Sequence, residues 1–434
     1  MIFQEESWIR SNVYKFCPSL KKQALDWYKP FRFVPHFLQR YFKRIRQHFR
    51  KVPVIVQMHP SREISFTINS LSKSSGCKIH RELHSINAFS TKVNAKKLEK
   101  LITDNMVKMV WYDGTVKTVL DVAAPAVKAP GAWNTNKTTG KGIGIAVIDT
   151  GVYPHPDLSG RIIAFKDFVG KKTAPYDDNG HGTHVAGDMA SDGALYKGTA
   201  PGADIIGVKV LNKSGSGYLS TVIAGIQWCI NNKDLYGIKV ISISLGSTAV
   251  QSYKDDPVCE VVGLAWTSGI TVCAAAGNEG PESGTISSPG INPRIITVGA
   301  IDDKNSLNFN DYEIAGFSSR GPTIDNLPKP DIVCPGTNII SLRSPYSTID
   351  KQNKSARVGK RYISLSGTSM ATPICAGMAA LILETDSTLT PDAVKDILKN
   401  TARPLNNLNA PNIQGNGLAD AEEATKHGQV YNKT

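Results

Sequence analysis

Four side chains in this sequence of 434 residues have the types needed for one nucleophilic reaction: Asp149, His181, Asn278 and Ser369. Each stands where an apolar run ends or begins. Asp149 follows the run 143–148, where a carboxylate either accepts local backbone hydrogen bonds or orients a neighbour at the carboxyl edge of a sheet. His181 lies between Gly180 and Gly182 at the start of a helical pattern, as a packed or capping imidazole or as a general base. Asn278 ends another apolar run, as a turn asparagine or as a fixed neutral hydrogen-bond donor. Ser369 opens the run 370–383, which reads as a buried helix with Pro373 near its first turn. There a serine is either an N-cap or a nucleophile whose own N–H can hold an oxyanion.

Taken together the four make a mechanism. Asp149 would orient His181 and stabilise its cation, and His181 would take the proton from Ser369. Asn278 and the Ser369 N–H would hold the developing oxyanion. The order Asp, His, Ser is one of the known chain orders for such a triad. His181 and His184 also form an H-x-x-H pair, but no acidic or thiol ligand set accompanies it, so zinc is not expected.

The elements that must position these residues alternate. Strands are predicted at 143–148, 204–210, 238–244, 270–275 and 294–299, and helices at 181–192, 218–232, 257–268, 369–384 and 391–400. Strands that are apolar on both faces indicate an α/β domain with a mostly parallel sheet and helices on both faces. Upstream the texture differs. A strand at 54–58, a helix at 61–74 (Ile64, Phe66, Ile68, Leu71), two strands within 78–94, a helix at 95–103 and a strand at 107–112 give the order β-α-β-β-α-β. That order is expected of a small ferredoxin-like α+β domain. Asp113-Gly114 signals a turn, and the Ala/Pro-rich stretch 119–129 reads as a linker.

Composition narrows the function. The net charge is +13, but residues 1–51 hold twelve Lys/Arg against three acidic residues, a net +9, so the charge is no general argument for nucleic-acid binding. In that leader, Phe37, Leu38, Tyr41, Phe42, Ile45 and Phe49 share one helical face. Such a basic amphipathic helix can lie on a membrane or bind RNA, and packing on the protein's own surface is the favoured expectation. No run of eighteen apolar residues occurs, and 1–10 lacks the apolar core of a signal peptide, so a cytoplasmic location is expected, with leaderless release left open. Seven scattered cysteines without a C-x-x-C pattern suit buried thiols in a reducing compartment.

The segments 147–151 (VIDTG), 181–187 (HGTHVAG), 276–278 (AGN) and 367–373 (GTSMATP) resemble the signature blocks of the subtilisin-like serine proteases, the subtilases of peptidase family S8. Residues 317–322 and 329–336 resemble further family segments. The likeness covers 125–425 and is nearest the AprX-type intracellular subtilases of bacilli. It implies a serine endopeptidase acting on proteins or peptides, with Asp149, His181 and Ser369 as triad and Asn278 as oxyanion donor. Substrate would add as a strand between Gly215-Ser216-Gly217 and Ser244-Leu245-Gly246. Ala275, Ala276 and Gly277 would line the primary pocket, with Ser287 near its base and room for a large apolar side chain.

The resemblance also divides the chain into a basic leader (1–51), an inhibitory propeptide-like domain (52–120), a linker (121–141), the catalytic domain (142–425) and a tail (426–434). The propeptide-like domain would act in cis, with 118–124 across the active site. The chemistry requires no cofactor. The loop 188–197 is shorter than in secreted relatives that hold calcium there, so structural calcium is a weak expectation, with Asp157 as a candidate ligand. The rival reading is a self-inhibited or silent subtilase-fold binding protein, which intact triad positions disfavour.

Overall fold

The computed structural model describes residues 7–31, 34–59, 64–83, 86–113, 122–405 and 410–430. The chain divides into two compact units, 1–118 and 119–434.

In the first unit, strands β1 (Val52–Met58), β2 (Arg81–Leu83), β3 (Ala88–Val93) and β4 (Val107–Tyr112) form an antiparallel sheet in the order β2-β3-β1-β4. The helices Ile64–Ser75 and Ala95–Thr103 complete the β-α-β-β-α-β order expected from the sequence. Along β1, buried Val52, Val54, Val56 and Met58 alternate with half-buried residues, as a sheet covered on one face requires. The leader is not separate from this domain. Ile9, Leu20, Ala24 and Trp27 are fully buried in the core that also holds Val54, Leu98 and Ile102. The start of the predicted helix 61–74, Gly114 of the expected turn, residues 118–121 of the proposed active-site segment and the last residues of the tail lie outside the described residues.

The second unit is built on an eight-stranded sheet. Its strands are β5 (Gly144–Asp149), β6 (Ile162–Asp167), β7 (Asp204–Lys209), β8 (Ile238–Ile243), β9 (Thr271–Ala275), β10 (Ile296–Asp302), β11 (Glu313–Ile314) and β12 (Ile332–Pro335). They run in the order β11-β10-β9-β8-β5-β7-β6, with β12 also on β10, and every pairing except β10–β11 is parallel. The five predicted strands and five predicted helices all occur within a few residues of their expected bounds. A three-stranded antiparallel sheet of β13 (Ile339–Leu342), β14 (Arg357–Val358) and β15 (Tyr362–Leu365) stands apart.

The stretch expected to be a linker is instead structural. Ala123–Ala126 and Ala129–Asn134 are short helices whose small alanines are buried in the core of the second unit. The expected tail likewise begins inside the helix Ala421–Val430. Among the described residues one helix, Thr368–Thr385, is long and apolar enough to cross a membrane, but it is buried from Met370 to Leu383 and forms the centre of this core.

Candidate active site

Strand β5 lies between β7 and β8 and delivers Asp149, fully buried, to the carboxyl edge of the sheet. The Thr150 N–H donates to Asp149 Oδ1 at 2.7 Å and fixes the carboxylate. Its two oxygens then face Nδ1 of His181 at 2.8 and 2.9 Å. His181 is the first residue of the helix His181–Ala190 and remains partly open to solvent. The contact depends on two glycines. Gly180 turns into the helix at φ +105°, and a Cβ on Gly182 would lie 2.2 Å from the Gly151 carbonyl and 3.0 Å from Asp149 Cβ.

Burial alone pulls the His181 imidazole down in pKa. The charge and hydrogen bond of Asp149, helped by Asp177 and Asp188, override this and hold it above the ordinary histidine value. An imidazole with Nδ1 bound to a buried carboxylate has Nε2 free to accept a proton.

Ser369 is the second residue of its helix, whose N-cap is Gly367. The N-cap reading of Ser369 therefore does not hold. As the second residue its N–H has no intrahelical acceptor, and its Oγ donates to the Ser244 carbonyl at 2.9 Å, with no hydrogen bond to His181 among the described residues. Pro373 lies in the second turn, not the first, and cannot donate to the Ser369 carbonyl.

Asn278 faces this helix start. Its Oδ1 accepts from the N–H (2.8 Å) and Oγ1 (3.1 Å) of Thr368, which leaves Nδ2 pointing the other way. A Cβ built on Gly367 would lie 3.5 Å from Asn278 Nδ2 and 3.6 Å from Ser369 N, so both nitrogens border one small space. Two N–H donors converging beside a serine at a helix start can hold an oxyanion.

A groove of about 460 Å³ runs past His181, lined by Gly215, Ser244, Leu245 and Gly246 among others. An adjoining apolar cavity of about 270 Å³ is lined by Gly215–Gly217, Leu219, Val222, Leu245, Gly246 and Val258. Both expected cleft edges therefore meet there. Ala275, Ala276, Gly277 and Ser287 do not line either cavity. Ser287 instead packs against Gly277 and Gly246, and its N–H donates to the Ala276 carbonyl at 2.9 Å.

A family model of the subtilases matches residues 140–417. The chain belongs to the subtilase family. Serine protease AprX of Bacillus subtilis (strain 168) is 47% identical over 430 residues, covering 96% of this chain and 97% of its own. M-protease of Shouchella clausii (strain KSM-K16) is 36% identical over 352 residues, 80% and 81% of the two chains. Subtilisin Savinase of Lederbergia lenta is 38% identical over 304 residues, 69% and 96%. This subtilase is a serine endopeptidase.

Sequence reasoning missed three supports of this subtilase's site. Asp177 is buried and takes five hydrogen bonds, from Thr150 Oγ1, from the N–H groups of Asn179, Gly180 and Thr183, and from Thr183 Oγ1. It thereby supplies the capping that Gly180 cannot. Thr368 orients Asn278. Lys209, fully buried, donates to the Thr150 and Leu211 carbonyls and pairs with Asp178 at 2.8 Å. His184 is no metal ligand here. Its Nδ1 meets Asp188 at 3.0 Å and its Nε2 faces the carbonyls of Ile339 and Ile363, both at 3.1 Å. It pins the His181 helix to the small sheet.

The surroundings of Asp157 do not suit calcium. Tyr362 donates its hydroxyl to Asp157 Oδ2 at 2.8 Å, and the guanidinium of Arg161 donates to the carbonyls of Asp157, Ala190 and Ala203. Oxygen atoms that a hard cation would need are thus held by a resident cation and a phenol.

Proposed function

We propose that this subtilase cleaves peptide bonds through Asp149, His181 and Ser369, with Asn278 Nδ2 and the Ser369 N–H as oxyanion donors. The observation that carries the reading is the double contact of His181 Nδ1 with the buried Asp149 carboxylate, at 2.8 and 2.9 Å. Rotation about χ1 moves Ser369 Oγ from the Ser244 carbonyl to Nε2 of His181. Oγ then attacks the scissile carbonyl carbon as its proton passes to Nε2. The oxygen that becomes negative enters the space between Asn278 Nδ2 and Ser369 N. As the C–N bond breaks, His181 returns the proton to the leaving amine. Water repeats the sequence on the acyl-enzyme.

The substrate lies extended between 215–217 and 244–246, adding a strand to each edge. The adjoining cavity, with Leu219, Val222 and Val258, supports an apolar substrate residue beside it. Residues 52–120 serve as an inhibitory and chaperoning prodomain in cis, released by cleavage near 118–124. Their separate sheet and core support a role apart from catalysis. Seven buried, unbridged cysteines support a reducing compartment such as the cytoplasm.

A fluorophosphonate probe tests the catalytic assignment. Labelling of Ser369, mapped by peptide mass spectrometry and lost on heat denaturation, is the expected result. Labelling of another serine overturns it. N-terminal sequencing of active enzyme that begins at Met1 overturns the prodomain assignment.

A further inference from the structure

The helix His36–Phe49 sits on the first unit the wrong way round for an amphipathic helix. Its polar side faces inward. Gln39 bonds the Phe31 N–H (2.8 Å), the Phe31 carbonyl (2.7 Å) and the Val34 carbonyl (2.6 Å). Arg46, seven residues on and on the same side, donates to the carbonyls of Trp27 and Lys29 and lies 4.2 Å over the Phe31 ring. The apolar stripe faces outward. Phe37, Tyr41 and Phe49 are 80%, 63% and 73% exposed, and Ile45 completes the row. Arg40 and Arg44, both exposed, border it. Single exposed apolar residues are ordinary, but a four-residue stripe on one helix marks a contact surface.

Charge selects the occupant. Residues 1–118 hold 22 Lys/Arg and 8 Asp/Glu, a net +14, whereas residues 119–434 hold 28 and 29, a net −1. A second copy would bring two strongly cationic units together. The near-neutral catalytic unit offers no overall charge match. RNA matches the charge but has no apolar medium for Phe37, Ile45 and Phe49. An anionic lipid surface meets both demands, with headgroups for the arginines and an acyl boundary for the stripe.

We propose that the helix His36–Phe49 docks the protein on anionic lipid bilayers, its apolar stripe entering the headgroup boundary. The full chain carrying Ser369→Ala, which prevents self-cleavage, is incubated with phosphatidylcholine vesicles with or without phosphatidylglycerol. Binding at least about tenfold tighter to the anionic vesicles, and weakened by salt, is expected. The double variants Phe37→Asp/Phe49→Asp and Arg40→Glu/Arg44→Glu should each lose about tenfold or more of that binding, with an unchanged thermal midpoint.

Absence of vesicle binding overturns the proposal, as does equal binding to both lipid types. So does a concentration-dependent dimer that Phe37→Asp/Phe49→Asp breaks, or retention on RNA but not on vesicles. A lower thermal midpoint for Phe37→Asp/Phe49→Asp overturns it too, since the stripe would then be covered by the chain itself. A second readout needs no charge substitution. The native cysteines are buried, so Phe49→Cys takes an environment-sensitive dye selectively. Its emission should shift to the blue on anionic vesicles, and an unshifted spectrum refutes insertion.

Discussion

Two helices of this chain present opposite solutions to the same problem. Thr368–Thr385 is apolar all round and buried from Met370 to Leu383, with the half-buried Ser369 as its second residue. His36–Phe49 is sharply two-sided, yet it turns Gln39 and Arg46 inward and its aromatic stripe outward. The first is placed by hydrophobic burial. The second is placed by the main-chain carbonyls of Trp27, Lys29, Phe31 and Val34, which need donors once the chain bends away from regular structure. Apolar periodicity therefore says which residues share a face, but not which way that face looks. The difference also separates two kinds of residue. Residues of the first helix pack the core of the second unit, whereas the ring contacts of the outer stripe are with neighbours on its own helix, Phe42 beside Tyr41 and His48 beside Phe49.

Substitutions should divide along the same line. Ser369→Ala should cost about 10⁶ in kcat while leaving the fold intact, a scale known from subtilisin, a member of this family. Active-site titration and thermal melts check it, and retention of more than a thousandth of the activity would break the contrast. Asp149→Asn should cost about 10⁴, again on the subtilisin scale. It should also move the pH profile. His181 must be unprotonated to act, so kcat/KM falls as pH drops through its pKa, which Asp149 holds above the ordinary 6.5. Removing that carboxylate leaves burial to act, so the acid limb should shift to lower pH in a kcat/KM titration.

Asn278→Leu should lower kcat by about 10²–10³ with little change in KM, the scale of the equivalent subtilisin change. Steady-state kinetics would contradict the oxyanion role if KM rose instead. Asp177→Ala should destabilise the second unit by about 3 kcal/mol, because five buried donors lose their acceptor. Denaturant melts measure it. The smallest effect belongs to the other helix. Phe37→Asp should leave peptide hydrolysis unchanged and stability within about 0.5 kcal/mol, and a larger loss in a melt would show the stripe is not free.

Most of the second unit was legible because its strands are buried on both faces, so β5, β7, β8 and β9 read as mainly apolar runs, interrupted only by residues such as Lys239 and Ser242. β6 was not, since it is half exposed with no clean alternation. β13, β14 and β15 span only two to four residues each, too short for a period to register. The four chemical residues stood out because each falls at the end or start of such a run. Asp177 and Thr368 did not, since their value lies in main-chain N–H and amide groups that converge only after folding. The Ala-rich stretch after residue 121 misled because small residues suit both a loose connection and close helix packing, as Ala124 and Ala129 do here.

The position of the Ser369 helix bears on how the enzyme is made. Its far end is closed by the helix Ala421–Val430, where Gly428 lies close against Thr385 and Ile382. Asp149, His181 and Asn278 leave the ribosome before Ser369, and the segment that packs against the far end of its helix follows it in the chain. Until that later segment has emerged, the far end of the Ser369 helix lacks the cover that Gly428 gives it, so the last of the four residues is packed into place only after the other three are already in the chain.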